Sequence, residues 1–458
     1  MMQVPVLLPR QGHSSERLAS GPRGSTPRLA EKKRPMRIVH ITPSYFPACG
    51  GGEFHIQKLS EGLASRGHEV TVLTANVRNI WDLGPGVWGD LPEVEVLGAV
   101  KVRRFRPDGG VLGSVLEAWS RIRGGYRSSS LLFGRDGLEL LLERPLLVQL
   151  IPHLVATRAD IVASANWYWP PAYQAHLARK LRRFALVGIP LFHTAESWCR
   201  RPIYRKMLAN CDAVIANTTC EANFVQEQAA IRVEVAGVGI DPQIFACRNG
   251  AEIRARYGLG TSPVVGFVGR QAANKGAITL LQAMRTVWKW NHEVRLVLAG
   301  QRWQQRDDVG ALIEGLTETE RERIVRINEF PEKDKASLYD SFDVFALPST
   351  GESFGIAYLE AWMCGKPVIG ARIGQTQCVI DEGTDGLLVD PDNAQDTAHA
   401  LIAMLSDSKM RERMGRSGCD KTVANYTWDK VTDRVEKLYL ELRAAKQPRR
   451  VSAERPRN

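Results

Sequence analysis

The sequence has no uninterrupted apolar segment long enough to cross a bilayer. A membrane-spanning helix needs about 20 mainly apolar residues, and the most apolar stretch, residues 138–156, is interrupted by Glu143, Arg144 and His153. Cysteines are few, and none of them forms a CxxC pair or a Cys/His group at zinc spacing. We therefore expect a cytosolic chain with reduced, mostly buried thiols; the cysteines are Cys49, Cys199, Cys211, Cys220, Cys247, Cys364, Cys378 and Cys419.

The chain also has little net charge between its ends, although the 458 residues together carry +11. Residues 1–35 hold seven Lys/Arg against two Glu, and residues 443–458 hold six against one, which leaves about +1 for residues 36–442. This distribution argues against nucleic acid as a partner. We expect disordered basic tails over 1–35 and 447–458, which are either simply solvated or attracted to an anionic membrane at on the order of 1 kcal/mol per charge.

Strand and helix patterns alternate along the chain in two successive series. Each series covers roughly 180 to 200 residues, as expected for one α/β domain. The pattern predicts two Rossmann-like, doubly wound domains. The N-terminal domain is placed at 36–240 and completed by 425–446, and the C-terminal domain is placed at 241–424. Residues 77–150, rich in Gly, Trp and Arg, are interpreted as a variable insert, with at least one helix expected near 136–156.

Two loops at predicted strand ends carry groups that suit an anion. Ligands of open parallel sheets bind beyond the carboxyl ends of the strands. Gly50, Gly51 and Gly52 follow the first strand and open a helix, where free backbone N–H groups can hold an anion; an ordinary turn is the alternative. Arg270 and Lys275 flank the loop GRQAANKG in the second series. They are either exposed surface charges or the cations that bind a diphosphate.

The stretch GESFGIAYLE, residues 351–360, carries two glutamates across the start of a predicted helix. Glu352 is expected in the loop and Glu360 about two turns into the helix. Along one helix they would lie about 12 Å apart, which exceeds the roughly 5–9.5 Å between the carboxyls of a glycosidase pair. We predict that they contact different parts of one long ligand, with its phosphates between them. A solvated pair of helix-end carboxylates is the alternative.

Taken together, these segments resemble glycosyltransferase family 4, a family of retaining enzymes with the two-domain GT-B architecture. The resemblance covers roughly residues 36–440 and is weakest over 77–150. It rests on five segments: PACGGGEFHIQKLSEGLASRGHEVTVLT near the N-terminus, GVGIDPQIF between the domains, the Arg/Lys loop GRQAANKG, the nucleotide-sugar motif DVFALPSTGESFGIAYLEAWMCGKPVIG, and YTWDKV before the last helix.

The resemblance implies how a nucleotide diphosphate sugar would bind. Arg270 and Lys275, with the Gly51 amide, would hold the diphosphate, and Glu360 would accept hydrogen bonds from the ribose hydroxyls. Asn328 stands in the loop that contacts the base, where a glycine is common in the family. Glu352 and the amides of Phe354, Gly355 and Ile356 would meet the transferred sugar, and Ser353 is also expected among the donor-binding residues.

The implied catalytic group consists of His193, Glu352, Arg270 and Lys275. His193 follows the strand in LVGIPLFHT and matches a family histidine near the sugar and the acceptor, with a core or capping histidine as the alternative. GT-B enzymes generally need no metal or cofactor, because fixed cations and helix dipoles stabilise the leaving diphosphate. Asp390-Pro391-Asp392 has the DxD spacing of metal-dependent transferases, but we interpret it as a turn.

The resulting prediction is a hexosyltransferase that uses a nucleotide diphosphate sugar and a glycan, glycolipid or lipid-linked acceptor. It implies a role in cell-surface polysaccharide or glycoconjugate synthesis. The alternatives are a GT-B epimerase, a phosphorylase or a non-catalytic sugar-nucleotide binder. Arg103, Arg104 and Arg106 are expected to face an anionic acceptor or lipid head groups, with simple strand alternation as the alternative reason for their spacing. Together with the basic tails they suggest a cytoplasmic enzyme with peripheral contact to the inner membrane face. Aromatic residues suit sugar rings unless they are core residues: Trp81, Trp88, Trp119, Trp167, Tyr168 and Trp169.

Overall fold

Two β-sheets, formed by successive halves of the chain, organise the structure. The fold is taken from a computed structural model that describes residues 34–48, 50–78, 89–107, 135–142, 145–302 and 307–446. Both sheets lie in one compact unit that begins at Met36. The expected α/β class with two parallel-sheet domains is confirmed.

The N-terminal sheet is parallel except at one edge. Its strands are β1 (Arg37–Ile41), β2 (Glu69–Ala75), β3 (Val94–Leu97), β4 (Val100–Phe105), β5 (Ile161–Ala165), β6 (Ala185–Ile189), β7 (Ala213–Ala216) and β8 (Val233–Val235). Their order across the sheet is β3-β4-β2-β1-β5-β6-β7-β8, and β3 pairs antiparallel with β4. The strand order reverses between β1 and β5, which creates a crevice at their carboxyl ends.

The C-terminal sheet is parallel at each strand pair. Its strands are β9 (Val264–Val268), β10 (Arg295–Ala299), β11 (Ile324–Ile327), β12 (Val344–Leu347), β13 (Val368–Ala371) and β14 (Gly386–Val389). They lie in the order β11-β10-β9-β12-β13-β14, which is the doubly wound arrangement of dinucleotide-binding folds. The reversal between β9 and β12 makes a second crevice.

Helices connect the strands and cover both faces of each sheet, as buried parallel sheets require. No helix within the described ranges is long and apolar enough to cross a membrane. The helices are α1 (Gly51–Ser65), α2 (Arg135–Leu142), α3 (Leu150–Ala156), α4 (Pro170–Leu181), α5 (Pro202–Ala209), α6 (Thr219–Gln228), α7 (Gly250–Arg256), α8 (Ala277–Trp290), α9 (Asp308–Glu314), α10 (Glu318–Arg321), α11 (Lys335–Asp340), α12 (Ile356–Met363), α13 (Ala394–Ser406), α14 (Ser408–Asn425) and α15 (Trp428–Lys446).

Helix α15 packs on the N-terminal sheet although it follows the C-terminal sheet in the sequence. Val431, Val435 and Leu438 belong to the buried cluster of the N-terminal sheet. The chain crosses between the halves at Ile240, whose N–H donates to the Tyr426 carbonyl at 2.7 Å. The Ile240 carbonyl in turn accepts from the Trp428 N–H at 3.2 Å. Apolar burial along α15 therefore links the end of the chain to its beginning.

The helix expected near 136–156 is confirmed by α2 and α3, and the segment 77–150 also contains two strands that the sequence does not indicate. The antiparallel strands β3 and β4 lie in it, together with α2 and the start of α3. Its residues 79–88, 108–134 and 143–144 lie outside the described residues. The predicted tails, 1–35 and 447–458, also lie outside them, apart from residues 34 and 35.

The expectation that Arg103, Arg104 and Arg106 face an anionic ligand is wrong for Arg104. Its side chain is buried, and it donates to Glu95 Oε2 at 2.6 Å and to the Phe46 carbonyl at 2.8 Å. Successive residues of a strand point to opposite faces, so Arg103 is exposed while Arg104 points inward. Arg104 therefore fixes the loop after β1 instead of contacting a ligand.

The aromatic residues after β5 divide between the core and the surface. Trp167 is fully buried and stacks on Tyr204, with ring centroids 6.5 Å apart, so its core alternative is the right one. Tyr168 and Trp169 are half-buried. Trp81, Trp88 and Trp119 lie outside the described residues.

The expectation of reduced thiols is wrong for one pair, because Cys220 and Cys378 form a disulfide. The two residues are 158 positions apart, and nothing in their spacing indicates that they are close together in the fold. The expectation of mostly buried thiols holds for Cys199 and Cys364, whereas Cys211 and Cys419 are half-buried, Cys247 is exposed, and Cys49 lies outside the described residues.

Two buried histidines lie where α1 meets β1 and α15. Nδ1 of His40 lies 2.8 Å from Ser60 Oγ, and its Nε2 lies 3.3 Å from the Tyr439 hydroxyl. Neither ring nitrogen of His55 has a hydrogen-bond partner among the described residues. Burial lowers the pKa of His40 to about 3 and that of His55 to about 4. Both imidazoles are therefore neutral in the folded protein at neutral pH.

We predict that these histidines make folding stability fall below pH 6.5. Above the ordinary pKa of 6.5 both folded and unfolded chains hold neutral imidazole, so His55 adds no pH dependence. Below it the unfolded chain binds the proton first, and the unfolding free energy falls until the folded-state pKa is reached. The loss at pH 5.5 should be roughly 1.4 kcal/mol per histidine.

Urea denaturation at pH 7.5 and pH 5.5 measures this loss. His55→Leu should reduce the loss between the two pH values by roughly 1.4 kcal/mol, whereas His292→Leu, at an exposed histidine, should leave it unchanged. An identical pH dependence in wild type and His55→Leu would contradict the prediction.

Candidate active site

The candidate residues lie at the carboxyl ends of strands on either side of the two crevices. Gly51 follows β1, Arg270 and Lys275 follow β9, and Glu352 follows β12. These are the strands between which the strand order reverses in each sheet. Ligands bind at such points because neighbouring loops diverge there and leave backbone groups exposed.

Two helices begin at these crevices without side-chain caps. Gly50 occupies the N-cap position of α1 and Gly355 that of α12. Neither glycine has a side chain that could accept a hydrogen bond from the first helical N–H groups. A Cβ atom at Gly51 would lie only 3.8 Å from Ile356 Cδ1, so the two helix N-termini approach one another. Uncapped N-terminal N–H groups carry partial positive charge and favour an anion between them.

The helix start in the GESFG stretch differs slightly from the prediction. Helix α12 begins at Ile356, and Gly355 is the residue before it, with φ +89°. Glu360 is accordingly little more than one turn into the helix instead of two. Phe354 is buried against Tyr426, with ring centroids 5.4 Å apart, while Ser353 is half-buried beside it. Residues other than glycine rarely adopt the left-handed backbone conformation found at Gly355.

Lys275 holds the loop that carries Glu352. Its Nζ donates to Glu352 Oε1 at 2.6 Å and to the Gly351 carbonyl at 3.1 Å. Gly276 follows with φ +76°, and a Cβ there would lie 2.2 Å from the Pro348 carbonyl oxygen, so only glycine permits this approach of the two loops. The pair is largely enclosed, with side-chain exposures of 17% and 13%, and its Coulomb attraction is correspondingly less screened.

Arg270 and His193 lie within the electrostatic field of the same pair. Burial lowers the pKa of Arg270, and the Glu352 charge opposes this effect. Burial also lowers the pKa of His193; Lys275 acts in the same direction, while Glu352 acts against it. A Cβ atom at Gly351 would lie 3.7 Å from His193 Nδ1. The structure therefore brings His193, from the N-terminal half, beside the Lys275–Glu352 pair of the C-terminal half.

Glu360 lies apart from Glu352 and has its own partners. Its Oε2 accepts from the Tyr339 hydroxyl at 2.6 Å, and its Oε1 lies 3.3 Å from Lys335 Nζ. Burial, followed by the Glu360 charge, raises the pKa of Tyr339 well above its ordinary value. The Tyr339 hydroxyl therefore stays protonated and donates its hydrogen bond. These contacts fix the carboxylate at one position on α12.

Asn328 lies at the edge of the same sheet. It follows β11, the outermost strand on that side, and its Oδ1 accepts from Arg302 Nε at 2.6 Å. Two strands separate it from β12, whose loop carries Glu352. With neighbouring strands about 4.8 Å apart, the two loops are separated by roughly 14 Å along the sheet edge, which suits opposite ends of an elongated ligand.

Several residues of this region had no clear sequence signal. Asn166 and Leu191 adopt φ +57° at the ends of β5 and β6, and a Cβ at Gly52 would lie 3.4 Å from Asn166 Nδ2 and 3.2 Å from Leu191 Cδ1. Left-handed backbone at residues other than glycine is strained and concentrates near functional sites. Gln375, four residues beyond β13, and Glu221 also reach this region. A polar residue shortly after a strand is the single sequence feature that points to Gln375.

Comparisons with known proteins identify the family. The family model described as "Glycosyltransferase Family 4" matches residues 49–244, and the model "Glycosyl transferases group 1" matches residues 250–420. A D-inositol 3-phosphate glycosyltransferase from Corynebacterium urealyticum is 33% identical over 301 residues, which are 60% of this chain and 70% of that protein. The chain belongs to glycosyltransferase family 4.

A longer match agrees with this assignment, and solved structures show the same fold. A D-inositol 3-phosphate glycosyltransferase from Saccharomonospora viridis is 27% identical over 89% of this chain and 93% of its own. A sucrose-phosphate synthase from Thermosynechococcus elongatus superposes with a TM-score of 0.68 at 21% identity, over 89% of this chain and 99% of its own. Anabaena HepE in complex with UDP-glucose gives a TM-score of 0.66 at 18% identity, over 89% and 100%. The expected GT-B fold and the expected hexosyltransferase class are confirmed.

The DxD-like segment lies in a turn between β14 and α13. The Asn393 N–H donates to the Asp390 carbonyl at 3.3 Å, and Asp392 has φ +55°. In the part of the chain that the structure describes, no group of three or more His, Cys, Asp or Glu is placed to hold a metal ion.

We predict that Lys275→Met weakens the binding of a nucleoside diphosphate at least 10-fold. The substitution removes one cation and leaves the Glu352 carboxylate facing the ligand's negative charge, and a hydrogen bond to a charged group contributes about 1.5–3 kcal/mol. Calorimetric titration with UDP, GDP and ADP at constant ionic strength measures the change for the tightest of the three. Lys289→Met, at an exposed lysine of α8, is the matched control; equal affinities for the two variants would contradict the prediction.

Proposed function

We propose that the protein transfers a hexose from a nucleotide diphosphate sugar to an acceptor hydroxyl, with retention at the anomeric carbon. The observation that carries the proposal is the approach of two uncapped helix N-termini at Gly51 and Ile356. Arg270 and Lys275 follow β9 at the same crevice, where Lys275 pairs with Glu352. Fixed cations and helix dipoles stabilise the charge that develops on a departing diphosphate. The enzyme would accordingly work without a metal or cofactor.

The proposed donor orientation follows from the two glutamates. Glu360, held by Tyr339 and Lys335, would accept hydrogen bonds from the ribose hydroxyls, with the base towards Asn328. Glu352 and Ser353 would lie at the hexose, together with the backbone N–H groups of Phe354, Gly355 and Ile356. The diphosphate would then occupy the space between the helix N-termini.

Retention is supported by the engagement of Glu352. Its carboxylate is paired with Lys275 at 2.6 Å, which disfavours a role as a free nucleophile. In the proposed reaction the bond from C1 to the diphosphate breaks, and the acceptor oxygen bonds to C1 on the same face. The acceptor proton passes to an oxygen of the leaving diphosphate. His193, whose pKa is lowered by burial, would be neutral and would hydrogen-bond the sugar or the acceptor.

An aromatic wall beside His193 supports a ring-shaped acceptor. The rings of Tyr168 and Trp198 lie 5.2 Å apart, and the Trp198 ring lies 6.4 Å from that of His193. Aromatic faces pack well against the apolar faces of sugar rings. We propose a glycan, glycolipid or lipid-linked acceptor in cell-surface glycoconjugate synthesis. A phosphorylated cyclitol is the second candidate, because the similar curated proteins are named D-inositol 3-phosphate glycosyltransferases.

We also propose that the enzyme acts in the cytoplasm with peripheral contact to the inner membrane face. The basic ends of the sequence, 1–35 and 443–458, support an electrostatic attraction to anionic lipids. Co-sedimentation with vesicles containing 30% phosphatidylserine, at low and at physiological salt, tests this contact. Full activity on a soluble acceptor without binding at either salt concentration would exclude it.

We predict that Arg270→Ala lowers the transfer rate about 10²- to 10³-fold, as the loss of an oxyanion donor does. Initial rates of diphosphate release in the presence of acceptor measure the effect. Arg416→Ala, at an exposed arginine on α14, should retain the wild-type rate. An equally small effect of both substitutions would remove Arg270 from the proposed mechanism.

A panel of nucleotide sugars, each incubated with and without acceptors, tests the reaction type. A transferase releases diphosphate faster with acceptor and forms a product whose anomeric configuration matches that of the donor by NMR. An epimerase would release free sugar without acceptor, a phosphorylase would require inorganic phosphate, and a non-catalytic binder would turn over none of the donors. An inverted product would contradict the retaining mechanism.

A further inference from the structure

The loop that carries His193 is held from both halves of the molecule. Within its own half, the Phe192 N–H donates to Glu221 Oε1 at 2.8 Å. From the other half, Gln375 Nε2 donates to the Phe192 carbonyl. The peptide groups on either side of Phe192 are therefore fixed by side chains from two different domains, immediately before His193.

Gln375 also contacts the residue that follows His193. Its Oε1 accepts from the Thr194 hydroxyl at 3.3 Å and from the Thr194 N–H at 3.4 Å. One buried amide side chain thus bridges Phe192 and Thr194 and encloses the backbone of His193. A buried amide with both ends hydrogen-bonded holds its partners tightly, because breaking either bond leaves an unsatisfied polar group.

We propose that Gln375 is a positioning residue for His193. The proposal rests on the proposed role of His193 in the transfer reaction. Gln375 follows β13 of the C-terminal sheet, whereas His193 follows β6 of the N-terminal sheet. The contact therefore aligns the two halves of the active site with one another. Displacement of a reacting group by about 1 Å can cost about 100-fold in rate.

Gln375→Ala should lower kcat about 10- to 100-fold while changing donor affinity less than about 3-fold. The substitution impairs the positioning of His193 in the transition state and leaves the binding of the donor in the ground state intact. Gln375→Asn, which keeps the amide on a shorter side chain, should lose less. Gln377→Ala, at an exposed glutamine two residues away, is the matched control. Wild-type turnover in the same assay tests the proposed function separately.

A double-mutant cycle distinguishes positioning from general packing. In a His193→Ala background, Gln375→Ala should cost less than about 2-fold further, because residues that act as a unit are not additive. The same fold-loss in both backgrounds would overturn the proposal. A parallel fall of kcat and donor affinity would also overturn it and assign Gln375 to the donor site.

A second inference rests on the disulfide, which joins the two halves beside this contact. Cys220 lies at the start of α6 in the N-terminal half and precedes Glu221, while Cys378 lies three residues after Gln375. Both cysteines are partly exposed, so an attacking thiolate can reach the bridge. The bond prevents the domains from separating at this side of the crevice.

We propose that this disulfide is a reversible latch between the two domains. A dithiol reductant opens it in two exchanges. One thiolate attacks the sulfur of one cysteine, forms a mixed disulfide and releases the other cysteine. The second thiol of the reductant then attacks the reductant's own sulfur in the mixed disulfide and releases the remaining cysteine. The bridge gains two electrons and two protons, and the reductant becomes a disulfide. Domain opening accompanies substrate entry and product release in many enzymes, so the latched form should turn over more slowly.

Reduction of the wild-type enzyme with dithiothreitol should raise kcat about 2- to 10-fold, because the separated domains release product faster. It should also increase the radius of gyration measured by small-angle scattering. Cys220→Ser and Cys378→Ser should show the higher values with or without reductant, whereas Cys247→Ser, at an exposed free cysteine, should respond like wild type. Identical kcat and radius of gyration in the oxidised and reduced wild type would overturn the latch.

Discussion

Parallel strand pairing is the constraint on which the rest of this structure depends. A chain that runs every strand in the same direction must return through a helix, so the strand ends and the following helix starts collect at one edge of each sheet. In both sheets the strand order reverses near the middle, at β1 and β5 and at β9 and β12. Loops from several distant parts of the sequence therefore meet there, together with uncapped helix N-termini.

The charges at this edge are arranged so that opposite signs lie close together. Lys275 pairs with Glu352, and both act on the pKa of His193 in opposite directions. Enclosure strengthens these interactions, because fewer water molecules screen them. The same enclosure disfavours protonated His193 and lowers the pKa of Arg270. An anionic ligand would add the negative charge that the helix N-termini and cations favour.

Connections between the halves are of three different kinds. Helix α15 contributes apolar side chains to the buried cluster of the N-terminal sheet, Gln375 contributes hydrogen bonds, and Cys220–Cys378 contributes a covalent bond. Apolar burial is non-directional and tolerates small shifts, whereas hydrogen bonds require a narrow geometry. The apolar contacts of α15 therefore join the halves, while the Gln375 hydrogen bonds and the disulfide determine how the loops at the crevice are aligned.

The sequence by itself determined the fold class, the family and the loops that carry Arg270, Lys275 and Glu352, because hydrophobic periodicity and glycine positions are local properties. It also predicted two separate roles for Glu352 and Glu360, which have different partners in the structure. It did not indicate that Arg104 points inward, since that depends on which strand face is covered, nor that Trp167 belongs to the core. The Cys220–Cys378 bond and the contact of Gln375 with the His193 loop join residues more than 150 positions apart. Such pairings depend on how the two sheets pack against one another, and this is decided only by the tertiary structure.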